Sequence, residues 1–400
     1  MKLNRVLNLP LLTLYGLGGI LGAGIYVLIG KVSSLAGLFT PVSFLVASLL
    51  VATTAFTYSE LSSRYPNSAG EALYLFKAFG IKHLSLIIGL LIVATGVLSS
   101  AAITTGFIGY FQVFFNVPDF WVILPLLTLL GLLAIWGIKQ SVQVAALLTV
   151  IEIIGLILII WAGQDYLVSF DSLHYFDKLL DANAAIWVGV FSGAFLAFYA
   201  FIGFEDMVNV AEEVVNPEKN MPRAIILALL VSTIIYILVA LVAVSAVSSQ
   251  DLSNSKAPLA LIFSQTTGLS SSIISIIGMF AIINGALIQI IMSSRVVFGM
   301  SSQGWIPKFF GKINQKTQTP IQATLLITAI ILVLALWLPI VTLAELTSLF
   351  ILVIFSLMHL SLIRIKTNNM NISPNIKQYP IAIPIIGLIT NVGFVVFYLV

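Results

Sequence analysis

The chain has 400 residues, of which 60% are hydrophobic and only 8% are charged. Soluble globular proteins average roughly 45–50% apolar and about 25% charged residues, so this composition excludes a set of water-soluble domains and indicates a protein embedded in a lipid bilayer. The absence of cysteine excludes disulfides, thiolate metal sites and cysteine nucleophiles, and a formal net charge of +3 is too small to indicate a nucleic-acid partner.

Eleven apolar stretches are each long enough to cross the bilayer core, which takes about 20 helical residues. They lie near residues 9–30, 39–61, 84–112, 121–138, 141–163, 185–209, 223–247, 271–298, 320–339, 341–363 and 380–400. The pattern predicts an all-α membrane protein with about 11 transmembrane helices. It leaves open whether a twelfth helix follows.

The basic residues are distributed unequally over the loops between these stretches. Of the 18 Lys and Arg residues, only Lys31, Lys178 and Lys256 fall in loops on the side opposite the N-terminus. Because cytoplasmic loops of membrane proteins are enriched in Lys and Arg, the sequence predicts a multi-pass protein of the cell (plasma) membrane with a cytoplasmic N-terminus.

The first stretch is rich in glycine, with the run GLGGILGAGIY over residues 16–26. Glycines clustered at this depth indicate either close helix packing, for which Gly18 and Gly22 have the GxxxG spacing, or a deliberately opened helix. In the sixth stretch, Glu205 and Asp206 interrupt an otherwise apolar helix. A single central charge costs roughly 2.5–3.5 kcal/mol on insertion, so both acids must face protein, water or a ligand rather than lipid.

The first and sixth stretches are equivalent positions if five helices are repeated with inverted topology. Paired interruptions at equivalent positions are the best sequence indication of a transporter's binding site. An opened helix exposes N–H groups at the start of its second half, which attract a carboxylate, and carbonyls at the end of its first half, which attract an ammonium. An amino acid carries both groups, so the sequence favours an amino acid site over simple packing.

Four runs resemble the amino acid/polyamine/organocation superfamily, and within it the cationic amino acid transporter and related bacterial permease branches. The similarity covers residues 10 to about 365, in the runs GLGGILGAGIYVLIG, YSELSSRYPNSAGEALYLFKAFG, FYAFIGFEDMVNVAEEVVNPEKNMPRAI and SSRVVFGMSSQGWIPKFFGKINQKTQTP. The resemblance implies a LeuT-like 5+5 inverted-repeat helix bundle with discontinuous helices 1 and 6. It implies a transporter core over residues 1–365, with repeats 1–164 and 183–365, and a peripheral C-terminal helix in 366–400.

The resemblance also implies which residues of the two opened helices serve the site. The amides of Gly22, Ala23 and Gly24 match the motif that holds the substrate carboxylate, and the carbonyls of Gly18, Gly19 and Ile20 fall where the amine binds. In helix six, Tyr199 matches an aromatic gating position and Ala200, Phe201 and Ile202 match the unwound backbone. Glu205 matches an acidic position tied to proton sensing or coupling in relatives.

Helix five departs from the family pattern. Proton-coupled relatives carry a Lys there, against helices one and eight, where sodium-coupled relatives bind Na⁺, whereas this sequence has Glu152 in the run LLTVIEIIG. A carboxylate cannot imitate an ammonium, but it can carry a proton or ligate a cation. We therefore predict that Glu152 couples transport to H⁺.

Other polar residues give weaker signals. Glu60 and Arg64 have the spacing of a helix-end ion pair, which we favour over a gate. The three histidines, His83, His174 and His359, do not converge on a metal site, and no hydrolase or nucleotide-binding motif is present. The sequence thus predicts neither an enzyme nor a bound cofactor.

These observations predict a secondary active transporter of amino acids that works by alternating access, driven by H⁺ symport or exchange, with sodium coupling third. We expect a monomer or weak homo-oligomer in the lipid bilayer. A polyamine carrier, a non-transporting amino acid sensor and a channel remain as alternatives, although the spans lack the continuous polar stripe of a channel. Which amino acid is carried, and in which direction, is not readable.

Overall fold

A computed structural model describes residues 5–67, 70–112, 114–255, 257–338, 340–368 and 376–399. These residues are almost entirely helical. The helices are α1 (Leu9–Ile20), α2 (Ala23–Ala36), α3 (Thr40–Arg64), α4 (Gly70–Phe79), α5 (Lys82–Phe111), α6 (Asp119–Trp136), α7 (Ile138–Ala162), α8 (Gln164–Val168), α9 (Ser172–Leu180), α10 (Ala184–Tyr199), α11 (Pro217–Ala246), α12 (Ser249–Asn254), α13 (Pro258–Thr267), α14 (Ser272–Ser302), α15 (Ile321–Trp337), α16 (Ile340–Thr367) and α17 (Ala382–Leu399). Short 3₁₀-helices cover Gly37–Phe39, Glu205–Glu213 and Lys308–Gly311.

Every predicted apolar stretch coincides with helix. The first becomes the pair α1 and α2, and the sixth becomes α10 followed by the 3₁₀-helix Glu205–Glu213. Seven helical runs within the described residues are long and apolar enough to span a membrane, or eight if α9 and α10, which meet at 110°, form one broken span. The run Leu9–Arg64 counts once there although it holds two predicted stretches, and α15 and α17 are shorter apolar helices. The all-α membrane class is confirmed, while the count of 11 stays a prediction.

The outer surface of the bundle is apolar, and several charged and polar side chains are buried in its interior. Large aliphatic side chains are exposed on the outer faces of α6, α7 and α17, with Leu132 61%, Leu147 63% and Ile389 66% exposed. By contrast, Glu152 and Arg295 lie in the interior with at most 1% exposure. A soluble protein does not leave such apolar surface in water, so the outer faces are those that contact lipid.

The central helices surround α1, which lies against α7, α11 and α14. Around them α14 packs along α5, and α11 packs along α3. This arrangement puts the break between α1 and α2 in the middle of the bundle. The division into two repeats stays a prediction, and the basic residues Lys2 and Lys256 lie outside the described residues.

The C-terminal helix α17 packs on α3 and α16 around one buried histidine. The two ring nitrogens of His359 lie 3.1 Å from the Thr54 hydroxyl and 2.9 Å from the Thr57 hydroxyl. Gly387 of α17 lies directly on the imidazole, where a methyl group would collide with the ring. Two hydroxyl partners and this close cover give His359 a structural role.

Candidate functional site

The first membrane helix is broken at its centre. α1 ends at Ile20, α2 begins at Ala23, and Gly22 between them has φ −63° and ψ −139°, outside the helical region. No side chain caps the start of α2. The amides at the start of a helix have no intrahelical acceptor, so the backbone of Gly22, Ala23 and Gly24 offers free donors in the middle of the bundle.

The sixth predicted span, which we call helix six and which comprises α10 and the 3₁₀-helix Glu205–Glu213, is also broken. α10 ends at Tyr199, and the amides of Ala200, Phe201 and Ile202 bond three residues back, which tightens the chain into a turn rather than leaving it fully unwound. Gly203 follows with φ +130°, a conformation that L-residues rarely adopt. Its amide donates a 2.8 Å hydrogen bond to Oε2 of Glu205, so this acid caps the break from within the chain.

The two breaks cross in direct contact. A Cβ on Gly203 would overlap the backbone of Gly19, and a Cβ on Gly24 would overlap Ala200. A Cβ on Gly22, in contrast, would keep ordinary 3.7 Å contacts with Ala281 and Gly285 of α14. The glycine run therefore does both things that the sequence left as alternatives: it opens the helix, and it lets the two opened helices touch.

Tyr236 joins the two breaks, which the sequence analysis did not predict. Its hydroxyl, carried on α11, lies 2.5 Å from the carbonyl oxygen of Ile20 and 2.9 Å from that of Ala200. These are the carbonyls at the ends of the two first half-helices. Since the hydroxyl has one hydrogen, it bonds the two acceptors in turn or shares the hydrogen between them. A lone tyrosine inside an apolar helix was the available signal, but the sequence did not identify its partners.

Glu152 is carried by α7 and is linked to α14 and α1, where the resemblance implies the coupling position. Oε1 of Glu152 accepts a 2.8 Å hydrogen bond from Nδ2 of Asn284, which also lies 3.0 Å from the Thr149 hydroxyl. That hydroxyl lies 3.1 Å from the Leu14 carbonyl of α1, and Gly18 leaves the space for it. Oε2 of Glu152 and Oδ1 of Asn284 have no hydrogen-bond partner within the described part of the chain. The Glu152 carboxylate can take up a proton or ligate a cation, and the amide oxygen of Asn284 can ligate a cation or accept a hydrogen bond.

A second acidic cluster lies on the far side of the sixth-helix break. Asp206 accepts a 2.7 Å hydrogen bond from Gln289 of α14, and Oε1 of Glu205 has no partner among the described residues. Glu71 of α4 is buried beside them, accepting from the Tyr58 hydroxyl at 3.3 Å and from Asn209 at 3.4 Å. Glu71 was not predicted as a buried residue, because an acid in a loop between spans is expected to be solvated.

The family described as "Amino acid permease" matches residues 7–400. The chain belongs to this permease family. The match confirms the resemblance inferred from the four sequence runs, and the family consists of transporters.

The relatives of this permease are named for different substrates. It is 30% identical to the branched-chain amino acid permease BcaP of Bacillus subtilis, over 81% of this chain and 72% of that protein. It is 29% identical to the methylthioribose transporter of the same bacterium, over 96% of this chain and 87% of that protein. It is 28% identical to the vacuolar cationic amino acid transporter 4 of Arabidopsis thaliana, over 87% of this chain but only 61% of that protein.

Backbone and side-chain contacts join α1, the 3₁₀-helix Glu205–Glu213 and α14 at the end of the bundle that carries the N-terminus. The amides of Val6 and Leu7 each donate a 2.9 Å hydrogen bond to the Glu213 carbonyl. These bonds join the segment before α1 to the end of the 3₁₀-helix Glu205–Glu213. The Glu213 carboxylate forms a buried 3.2 Å ion pair with Arg295 of α14. The first and sixth helices are thereby fastened together and to their neighbour.

Two further residues singled out from the sequence, Tyr199 and Glu60, form contacts between neighbouring helices. The Tyr199 hydroxyl lies 3.3 Å from the Ser99 hydroxyl of α5, so the aromatic side chain bridges helix six and α5 beside the break. Glu60 forms the predicted pair with Arg64 and a second ion pair, 2.8 Å long, with Lys366 of α16. Glu60 thus has the structural role that the spacing favoured.

Glu71 gives a pH-dependent expectation, because α4 lies outside the membrane-spanning helices. Burial raises the pKa of its carboxyl from 4.5 to about 7, although bonds from Asn209 and Tyr58 oppose the shift. A carboxyl whose pKa is raised by folding stabilises this conformation fully below pH 4.5, and that contribution is lost as pH rises through about 7. We expect the thermal unfolding temperature of the purified protein to fall over this range, and Glu71→Gln to flatten the fall.

The matched control for this measurement is Asp165→Asn, which changes an exposed acid on α8. It should leave the pH profile of thermal unfolding unchanged. A Glu71→Gln profile as steep as that of the unmodified protein would show that Glu71 does not titrate in this range.

Proposed function

We propose that this permease is a secondary active transporter of amino acids that works by alternating access in the plasma membrane, with its N-terminus in the cytoplasm. The observation that carries the proposal is the crossing of two broken helices at the centre of the bundle, with uncapped amides at Gly22–Gly24 and carbonyl ends at Ile20 and Ala200. Family membership supports transport, and the charge distribution supports the orientation. A monomer or weak homo-oligomer is sufficient, since both breaks come from one chain.

The two kinds of backbone group define the substrate. Free amides at the start of α2 favour a carboxylate, because a helix N-terminus combines unpaired donors with the positive end of the dipole. The carbonyls at Ile20 and Ala200 accept from an ammonium, which can replace the hydrogen of Tyr236 with its own. Hydrogen bonds to charged groups contribute roughly 1.5–3 kcal/mol each, so recognition of both ends of an amino acid is strong without any contact to its side chain.

Proton coupling is assigned to Glu152. A buried ionised carboxylate is costly unless it is paired, and within the described residues Glu152 has an amide partner but no ion pair. It therefore binds a proton or a cation in this conformation. Its link through Asn284 and Thr149 to the Leu14 carbonyl of α1 gives protonation a route to the moving helix.

We expect Glu152→Gln to abolish the pH dependence of uptake. The amide keeps the size of the side chain but cannot gain or lose the proton. The measurement is initial uptake into proteoliposomes at several pH gradients, with and without Na⁺. Uptake by the variant that keeps its normal response to the pH gradient would contradict proton coupling through Glu152, and a response to Na⁺ in the unmodified protein would favour the cation instead.

The proposed function is tested by uptake of labelled compounds into proteoliposomes. The panel contains branched-chain, small neutral and cationic amino acids, a polyamine and methylthioribose. We expect uptake of at least one amino acid, competed by the free acid but not by its methyl ester, because the ester cannot engage the Gly22–Gly24 amides as an anion. Polyamine uptake that ignores amino acids would favour the polyamine carrier, and saturable binding without uptake would favour a sensor.

A further inference from the structure

A groove of about 430 Å³ opens beside the start of α11, at the end of the bundle that carries the N-terminus. One wall is the first turns of α11, with Lys219 and Arg223, and the other is the segment before α17, with Lys377 and Tyr379. It is separate from the crossing of the broken helices. No part of the proposed transport mechanism uses it.

The groove attracts anions for two independent reasons. Lys219, Arg223 and Lys377 are exposed there against a single acid, Glu218, so the lining carries an excess of positive charge. The groove also lies at the N-terminal end of the 30-residue helix α11, whose dipole is positive at that end. Lys and Arg both bind the anionic oxygens of a phosphate, Lys as a compact charge and Arg through its planar guanidinium.

The second wall is fixed in place. The amide of Tyr379 donates a 2.9 Å hydrogen bond to Oε2 of Glu60, and its carbonyl accepts a 2.5 Å hydrogen bond from Lys366. Its ring lies 5.0 Å from that of Phe56. The Tyr379 hydroxyl, however, is buried and has no hydrogen-bond partner in the part of the chain that the structure describes. Tyr379 therefore lines the groove with other atoms of its side chain, while its hydroxyl is enclosed by protein.

The remaining lining is apolar and continues along the same face of α11. Ile226 and Leu227 follow Arg223 by one turn, at the spacing that places side chains on one helix face. Leu227 is 41% exposed, as lipid-facing residues of this bundle are. The groove therefore changes from basic to apolar in the direction of the membrane, and an occupant needs an anionic head and an apolar tail.

We propose that this groove binds an anionic phospholipid of the leaflet on the N-terminal side. Lys219, Arg223 and Lys377 pair with its anionic headgroup, and an acyl chain lies along Ile226 and Leu227. Basic pockets between transmembrane helices recognise anionic headgroups in this way. Because the lipid joins α11 to the segment that leads into α17, it stabilises the packing of the peripheral helix on the bundle.

The test uses the purified, delipidated full chain and native mass spectrometry of lipid adducts. The probes are phosphatidylglycerol, phosphatidylcholine with identical acyl chains, and glycerol 3-phosphate. We expect phosphatidylglycerol to bind preferentially, and each single substitution of Lys219, Arg223 or Lys377 by Gln to weaken it about fivefold. The triple variant K219Q/R223Q/K377Q should weaken it on the order of a hundredfold.

The control is K308Q/K312Q/K316Q, which removes the same charge from another basic segment of the same surface. It should change phosphatidylglycerol binding by less than about twofold, since none of these three lysines lines the groove. Equal losses in both triple variants, or equal binding of the two lipids, would overturn the site. Competition by glycerol 3-phosphate at the concentrations at which the lipid binds would instead identify a site for soluble phosphates.

Discussion

Gly203→Ala is expected to reduce amino acid uptake by more than a hundredfold. The residue adopts φ +130°, and a methyl group there would overlap the backbone of Gly19 across the crossing. Backbone strain of this kind costs about 1–3 kcal/mol, and the clash adds to it, whereas a hundredfold loss corresponds to about 2.7 kcal/mol. Initial uptake into proteoliposomes, normalised to reconstituted protein, measures the effect.

Two further glycine substitutions make this result interpretable. Gly19→Ala places its methyl group 3.0 Å from the Gly203 carbonyl oxygen in ordinary helical backbone, so it should cause a smaller loss. Gly393→Ala on α17 adds a methyl group with no neighbouring atom within 4 Å and should transport normally. Elution of each variant from size exclusion identifies misfolding. Normal uptake by folded Gly203→Ala would show that the crossing does not form part of the transport site.

Tyr236→Phe is expected to slow net uptake about tenfold or more while leaving exchange within about threefold. The hydroxyl satisfies the Ile20 and Ala200 carbonyls from within the protein, and in the proposed mechanism this allows the carrier to close without a substrate. Removing it leaves two buried acceptors unpaired, at a cost of about 1–3 kcal/mol, or roughly five- to 150-fold. During exchange the substrate ammonium satisfies the same carbonyls, so the cost does not arise.

The measurement compares net uptake into empty proteoliposomes with counterflow into vesicles preloaded with the same amino acid. Tyr166→Phe, which changes an exposed tyrosine of α8, is the matched control and should affect neither rate. Equal losses in net uptake and counterflow would contradict the proposed role and would place Tyr236 in substrate binding instead.

The broken helices could be predicted because their residues violate the pattern around them. Five glycines within residues 16–26 and two acids in another apolar stretch are conspicuous, and the predicted inverted repeat would make the two positions equivalent. Glu152 was conspicuous for the same reason. In each case the cost of placing such residues in lipid restricts where they can lie, so the sequence alone narrows the possibilities.

The partners of these residues could not be predicted. Tyr236 and Ile20 are 216 positions apart, and Asn284 and Glu152 are 132 apart, so only the packed helices bring them together. A single tyrosine or asparagine in an apolar helix has many possible acceptors, and the periodicity of one helix does not choose between them. Glu71 was missed for the opposite reason, since nothing in a loop sequence indicates that tertiary packing will bury it.

In the proposed alternating-access mechanism, the ion pair between Arg295 and Glu213 has to separate when this end of the permease opens. Separating two buried charges is costly until water reaches both of them, so a partly parted helix six would be the least stable arrangement along the way. We therefore expect this end of the permease to be either closed or fully hydrated, without a stable intermediate between the two. Such behaviour limits leakage, because solutes find no stable half-open passage through which to slip.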